Sequence, residues 1–145
     1  GVQCLVVGTI DFAADLGLSG APVALDDAAS HIALASRAAG IAPPVAGVTA
    51  SIDDEALLLA NLARARAHGF TAKLCIHPKQ IAAVQAAFTF SAAELDWARR
   101  VLDAVDRAGG AAVAVDGKMV DRPVELRARQ MLGLCSLGPS HTRWS

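Results

Sequence analysis

The sequence predicts an α/β fold in which short parallel strands alternate with helices and a helix–β-hairpin–helix segment follows. Three observations carry this reading. Apolar runs of strand length at 3–8, 45–49 and 73–76 are each followed by a stretch with helical periodicity. Crossovers of that length join parallel strands in right-handed βαβ units. After Phe90 the alternation stops, and Asp116-Gly117 between two apolar runs marks a tight hairpin.

The elements follow in order. The first run ends at Gly8, where the backbone is free to turn, and Gly17 can end the short helical stretch behind it. A longer helix is predicted over 26–39. Leu25-Asp26-Asp27 offers capping carboxylates, Ile32, Leu34, Ala35 and Ala38-Ala39 an apolar side, and Gly40 a stop. Pro43-Pro44 forces an extended connector into the second strand. Ser51-Ile52-Asp53-Asp54-Glu55 then opens a helix reaching His68. Its acids sit in the first turn, and Arg64 and Arg66 near the end, as the helix dipole favours. Pro78 suits the first turn of a helix carrying Ile81, Val84 and Phe88. Ser91-Ala92-Ala93-Glu94 is a capping box for a helix that Gly109-Gly110 ends. The hairpin spans 112–121 with a type I′ turn, and Arg122-Pro123 starts a last helix through Leu132. The chain thus divides into residues 1–90, 91–132 and an irregular tail, 133–145.

Composition narrows the function classes. With 145 residues the chain is one domain of ordinary size, and its net charge of −1 implies no general attraction to nucleic acid or to an anionic membrane. Charges and prolines interrupt every apolar run before it could span a bilayer, and no basic segment precedes the first apolar run as a signal peptide would require. Cys4, Cys75 and Cys135 are odd in number and lack metal-type spacing, which points to a reduced, cytoplasmic protein. The first residue is Gly rather than Met, which is expected of a processed or trimmed chain or of a piece of a longer one.

Three residues stand where chemistry could occur. Asp11 lies three residues beyond the first strand. The carboxyl ends of parallel strands are where ligands sit, and a carboxylate there either binds a hard cation such as Mg²⁺ or caps the helix behind it. His77 ends the third strand. Alternation puts Leu74 and Ile76 on one side, facing the helices, and Lys73, Cys75 and His77 on the other; His77 either contributes to a ligand site or fixes the turn into Pro78. Asp121 shares a hairpin face with Met119, Ala112 and Ala114. It is either an acid–base group on an apolar face or the cap of the last helix.

Four ordered stretches resemble the citrate lyase β-subunit-like enzymes of the HpcH/HpaI aldolase family: Val7-Gly8-Thr9-Ile10-Asp11-Phe12-Ala13-Ala14-Asp15-Leu16-Gly17, Ala35-Ser36-Arg37-Ala38-Ala39-Gly40, Lys73-Leu74-Cys75-Ile76-His77-Pro78-Lys79-Gln80, and Asp116-Gly117-Lys118-Met119-Val120-Asp121-Arg122-Pro123. The likeness runs from about Leu5 to about Met131. It implies a TIM (β/α)₈ barrel of which this chain is the C-terminal portion, about three βα units plus a C-terminal extension. Three strands cannot close a barrel, so such a piece on its own is expected to be unstable or partner-dependent.

The resemblance also implies a reaction. Related enzymes are Mg²⁺-dependent carbon–carbon lyases acting on 3-hydroxy-acyl thioesters such as malyl-CoA, citramalyl-CoA or citryl-carrier protein, through an enolate that a divalent ion stabilises. Asp11 matches one of two acidic metal ligands. The partnering Glu and the substrate-binding Arg match nothing in this chain, so the chain alone is expected to be inactive. Gly8, Thr9 and His77 become candidate substrate-binding positions, and Asp121 a catalytic residue reaching a neighbouring subunit in a homo-oligomer, a trimer or hexamer. Where the family pattern has Asp in the second strand this chain has Ala46. Lys73, at the amino end of its strand, is expected in an internal ion pair, and Lys79 is a candidate contact for a coenzyme A phosphate. The alternatives are a 2-oxo-acid aldolase acting on a small oxo-acid, and a truncated, catalytically silent assembly module.

Overall fold

The computed structural model describes residues 1–19, 21–109 and 112–134. It contains two compact units, one over Gly1–Thr89 and a second beginning at Phe90. Among the described residues no helix is long and apolar enough to cross a membrane. Most of the expected tail, from Cys135 onward, lies outside the described residues.

The first unit is a small parallel sheet with helices around it. β1 (Val45–Ala46) pairs in parallel with β2 (Ala72–Lys73), in register Val45 with Ala72 and Ala46 with Lys73. The first predicted strand is present as an extended segment bridged once to β1, Val6 opposite Val45, with Val45 N–H donating to the Leu5 carbonyl and Val7 N–H to that of Val45. All three strands are shorter than the sequence suggests, and beyond β1 and β2 side chains take backbone groups that a longer ladder would use. Pro44 has no N–H to give. Beyond Ala46, the Gly47 carbonyl accepts from Lys73 Nζ, and the Thr49 and Ser51 carbonyls accept from the Gln80 amide at 3.0 and 3.2 Å. Buried polar backbone groups must be paired by something, and here side chains do it.

Beyond β2 the expected alternation breaks. Leu74 N–H still bonds the Ala46 carbonyl, but Ile76 N–H turns to Gln80 Oε1 at 3.1 Å, so the chain bends out of the sheet. Leu74 and Ile76, expected beneath the helices, are accordingly 44% and 51% exposed. The core instead gathers around Val7, Ala46, Ala65 and Phe70, with Ala29, Ile32 and Phe88 packed on it.

Among the described residues four helices belong to this unit: α1 (Thr9–Asp15), α2 (Asp26–Ala38), α3 (Glu55–Ala67) and α4 (Ile81–Phe88), with 3₁₀ turns at Pro22–Leu25 and Pro78–Gln80. α3 begins as its acids suggest, the Asp54 carboxylate accepting from Leu57 N–H. α2 does not. Its N-cap is Leu25, whose side chain has no acceptor, and α2 continues directly from the 3₁₀ turn at Pro22–Leu25, while Asp26, already inside the helix, bonds Arg64 of α3. Gly40 follows α2 with φ +64°, and Ile41 N–H reaches back to the Ser36 carbonyl, a left-handed stop that glycine supplies freely. Gly47 is needed for a different reason: a Cβ there would collide with the Val7 carbonyl oxygen and lie 2.8 Å from Thr9 Oγ1.

The second unit follows its sequence pattern closely. α5 (Ala92–Ala108) opens on the Ser91–Glu94 capping box with both reciprocal hydrogen bonds present and ends at Gly109, φ +54°. β3 (Val113–Val115) and β4 (Lys118–Val120) form the antiparallel hairpin, with positive φ at both Asp116 and Gly117 as a type I′ turn requires. α6 (Arg122–Met131) follows. Ala98, Val101, Leu102, Ala128 and Met131 form its core, against which Val115 and Val120 pack from the hairpin. The opposite hairpin face, Ala114 with Met119, is exposed. Arg100 on α5 grips the turn, donating to both oxygens of Asp116 at 2.6 and 3.1 Å, and holds that carboxyl below the usual carboxylate range.

Candidate functional site

A cavity of about 470 Å³ opens in the first unit beside the carboxyl end of β1. Its size is that of a small-molecule pocket. Apolar side chains make up most of the wall. The polar groups on it are few: Thr9 from α1, Asp26 from α2, Thr49 and Ser51 from the loop after β1, Asn61, Arg64 and His68 from α3 and its end, and Lys73 from β2.

Most of these are tied to one another. Arg64 donates through Nε (2.7 Å) and Nη2 to the two oxygens of Asp26, a planar fork on a planar carboxylate. His68 Nε2 lies 2.8 Å from Asp26 Oδ1, and Ser30 Oγ lies 3.2 Å from His68 Nδ1. An ionised carboxylate only accepts, so Nε2 carries the proton and, in the neutral ring, Nδ1 accepts from Ser30. The Arg64 fork holds the Asp26 carboxyl below its ordinary range, His68 adds to this, and partial burial opposes both. Asn61 Nδ2 donates to Thr49 Oγ1 at 3.1 Å.

Lys73 differs. It is half-buried, and among the described residues its ammonium meets only the Gly47 carbonyl. The ion pair expected for it is therefore absent among the described residues. Burial lowers its pKa, and the nearby Cys75 sulfur, which favours the charge, offsets that only in part.

Within the first unit, the residues singled out in the sequence do not all reach the cavity. Thr9 lines the cavity, whereas Gly8, Asp11 and His77 do not. Gly8 is the N-cap of α1, and Asp11 stands in the helix's first turn with its carboxylate exposed and beside Gly8. Asp11 is thus not the cap of the helix. His77 is the N-cap of the turn at Pro78, its Nδ1 accepting from Lys79 N–H at 3.2 Å, which is the turn-fixing alternative. Asp121, in the second unit, is the N-cap of α6, accepting from Val124 N–H at 3.2 Å. Lys79 is held by Asp53 at 2.8 Å on the surface. Among the described residues no three carboxylate, imidazole or thiol groups come together to hold a metal, so these residues do not by themselves fit Mg²⁺.

Sequence reasoning missed three groups: the Asp26–Arg64–His68 cluster, the Asn61–Thr49 pair and Gln80. The available signal was helical spacing. Arg64 and His68 are one turn apart on α3 and present their donors together, but nothing in the sequence says which carboxylate, 38 residues away, will meet them.

Comparison with known proteins agrees with the resemblance. Residues 15–133 match the model of the C–C bond lyase family of the TIM-barrel fold, a span that begins four residues after Asp11. A citrate lyase subunit beta-like protein of Deinococcus radiodurans is 38% identical over 130 residues, 86% of this chain and 45% of that protein. A (3S)-malyl-CoA thioesterase of Cereibacter sphaeroides is 36% identical over 133 residues, 88% of this chain and 46% of that protein. The crystal structure of the Mycobacterium tuberculosis protein CitE, in complex with magnesium, acetoacetate and coenzyme A, superposes with a TM-score of 0.75 at 37% identity, covering 89% of this chain and 50% of that one. The chain spans about half the length of the relatives it matches. On the family match and these likenesses, the chain belongs to the C–C bond lyase family of the TIM-barrel fold.

Proposed function

We propose that this chain is the C-terminal part of a (β/α)₈-barrel carbon–carbon lyase that acts on 3-hydroxy-acyl thioesters of coenzyme A, of the malyl-CoA or citramalyl-CoA kind. Residues 1–90 are the last three βα units and 91–132 the extension. Family membership supports the reaction class, and the relatives' own names support the thioester. The observation that carries the reading is the state of Asp11. Its carboxylate stands beyond the carboxyl end of the first extended segment, exposed, and among the described residues it neither caps a helix nor joins an ion pair.

Mg²⁺ is the proposed cofactor of the full-length protein, on the precedent of the magnesium-bound relative, with Asp11 as one oxygen ligand and the others from outside the described residues. Splitting a carbon–carbon bond next to a thioester carbonyl leaves negative charge on that oxygen, and the resulting carbanion needs a proton. Gly8 and Thr9 are the proposed substrate contacts from this chain, Thr9 through its hydroxyl on the cavity wall. His77 is a proposed substrate contact as well as the cap of its turn. Asp121 is the proposed proton-handling residue, acting on a neighbouring subunit of a trimer or hexamer in the cytoplasm.

A catalytically silent assembly module is the competing reading, favoured by the absence of a three-ligand cluster among the described residues. A panel of CoA thioesters, with and without Mg²⁺, separates the two on the full-length protein. Mg²⁺-dependent release of a shorter acyl-CoA and an oxo acid from malyl-CoA or citramalyl-CoA supports the lyase. Release of free CoA alone indicates thioester hydrolysis instead, and no turnover of any thioester overturns the thioester-lyase reading in favour of the silent module or of an aldolase acting on a free oxo acid.

A further inference from the structure

We propose that His77 meets the substrate as a hydrogen-bond donor through Nε2–H, and that Gln80 is the positioning residue that holds it for this. The inference deepens the lyase reading and rests on its assignment of His77 as a substrate contact.

The hydrogen bonds around the ring carry it. His77 stands beyond the carboxyl end of β2 with an extended backbone, φ −146° and ψ 143°. That end of parallel strands is where ligands sit. Its Nδ1 accepts from Lys79 N–H at 3.2 Å. A nitrogen that accepts carries no proton, so in the neutral ring the proton is on Nε2. The turn bond and a substrate contact therefore do not compete. The first selects the tautomer, and the second uses the N–H that this tautomer provides. Such a donor fits an oxygen of an acyl thioester, carbonyl or carboxylate, and does not fit a cationic group.

Gln80 holds the backbone on both sides of the ring. Its own N–H donates to the His77 carbonyl at 3.0 Å, and its Oε1 accepts from Ile76 N–H at 3.1 Å. Its Nε2 donates to the Thr49 and Ser51 carbonyls at 3.0 and 3.2 Å, which ties the same side chain to the loop after β1. Gln80 is 2% exposed, and an amide buried and bonded at both ends has one arrangement. A donor that must meet a substrate oxygen needs this kind of support, because a shift of about half an ångström already weakens the contact.

The test uses the full-length protein with malyl-CoA or citramalyl-CoA and Mg²⁺. Asn carries an oxygen where His carries Nδ1 and nothing where it carries Nε2, so His77→Asn keeps the cap of the turn and removes the donor. It is expected to raise the thioester KM by about fivefold or more with kcat and the thermal midpoint little changed. Gln80→Met is expected to raise KM in the native background and to add nothing in His77→Asn, because it acts through the ring. A merely structural glutamine would harm both backgrounds alike. Should Gln80→Met fail to fold, Gln80→Glu, which keeps an oxygen for Ile76 N–H, takes its place in the same cycle, and the His77→Asn arm stands without either. No turnover by the wild type overturns the lyase reading and this inference with it. With an active wild type, an unchanged KM in His77→Asn, or an equal further loss from the Gln80 substitution in both backgrounds, overturns the inference and leaves the lyase reading in place.

Discussion

Asp26 and His68, 42 residues apart in sequence, meet at 2.8 Å and join the start of α2 to the end of α3. Arg64 completes the contact from one turn earlier on α3, and Ser30 Oγ donates to the far side of the imidazole. The first carboxylate of α2 is thus used between helices, and the helix starts at Leu25 without a side-chain cap.

That geometry has a pH signature. The Arg64 contact lowers the Asp26 pKa in the folded protein, so the pair's contribution is present at neutral pH and lost as pH falls through the folded value. Asp26→Asn should lower the thermal midpoint at neutral pH, by a few degrees at most because both side chains are about one-third exposed. The difference between wild type and variant should shrink to nothing in strong acid. Comparing the two proteins cancels Asp116, whose pKa is lowered in the same sense by Arg100. A gap between wild type and variant that is independent of pH would contradict the account.

Gln80 is 2% exposed and holds three backbone groups from two loops: Ile76 N–H on its oxygen, and the Thr49 and Ser51 carbonyls on its nitrogen. Replacing the amide by a hydrocarbon strands all three. Gln80→Leu should therefore destabilise the chain by on the order of 3 kcal/mol, well beyond a surface substitution. Urea unfolding measures it, and a loss under about 0.5 kcal/mol would mean that the two loops are held by something else.

These two residues also mark how far the sequence could be read. Where structure is decided locally, the reading was close. The Ser91–Glu94 box, the Asp116-Gly117 turn and the glycine after α2 depend on neighbours within a few residues, and each is present. Where a choice depends on a distant partner, local rules did not reach it. Asp26 looked like a cap because caps are local, and its preference for Arg64 becomes visible only once α2 and α3 lie together. The strict alternation assumed for 73–77 failed at Ile76 because a buried glutamine competes for its N–H. Asp121 and His77 show the reverse: the cap and the turn, both local, are in place, while the proposed roles in catalysis and substrate binding depend on groups outside the described residues.

Asp121 can be tested for both roles at once. Asn caps a helix about as well as Asp, so Asp121→Asn should leave stability within about 0.5 kcal/mol while removing the carboxyl proposed to handle the proton. In the full-length protein the expected result is a fall in kcat of about 10²–10⁴-fold with thioester KM little changed. Mixing these subunits with Asp11→Asn subunits should partly restore activity, because some mixed interfaces then carry both native residues. An unchanged kcat in Asp121→Asn, or no recovery despite demonstrated subunit exchange, would return Asp121 to its role as the cap of α6.

The lyase reading stands or falls on Asp11. Asn has the size of Asp and lacks its charge, and Asp11 caps nothing, so Asp11→Asn should leave the fold intact. The decisive measurement is Mg²⁺-dependent cleavage of malyl-CoA or citramalyl-CoA by the full-length protein carrying Asp11→Asn, alongside wild type and over a range of Mg²⁺ concentrations. Loss of a charged Mg²⁺ ligand predicts activity reduced by about 10²-fold or more at ordinary Mg²⁺, with partial recovery at high Mg²⁺. Wild-type turnover with an unchanged Mg²⁺ dependence would contradict it.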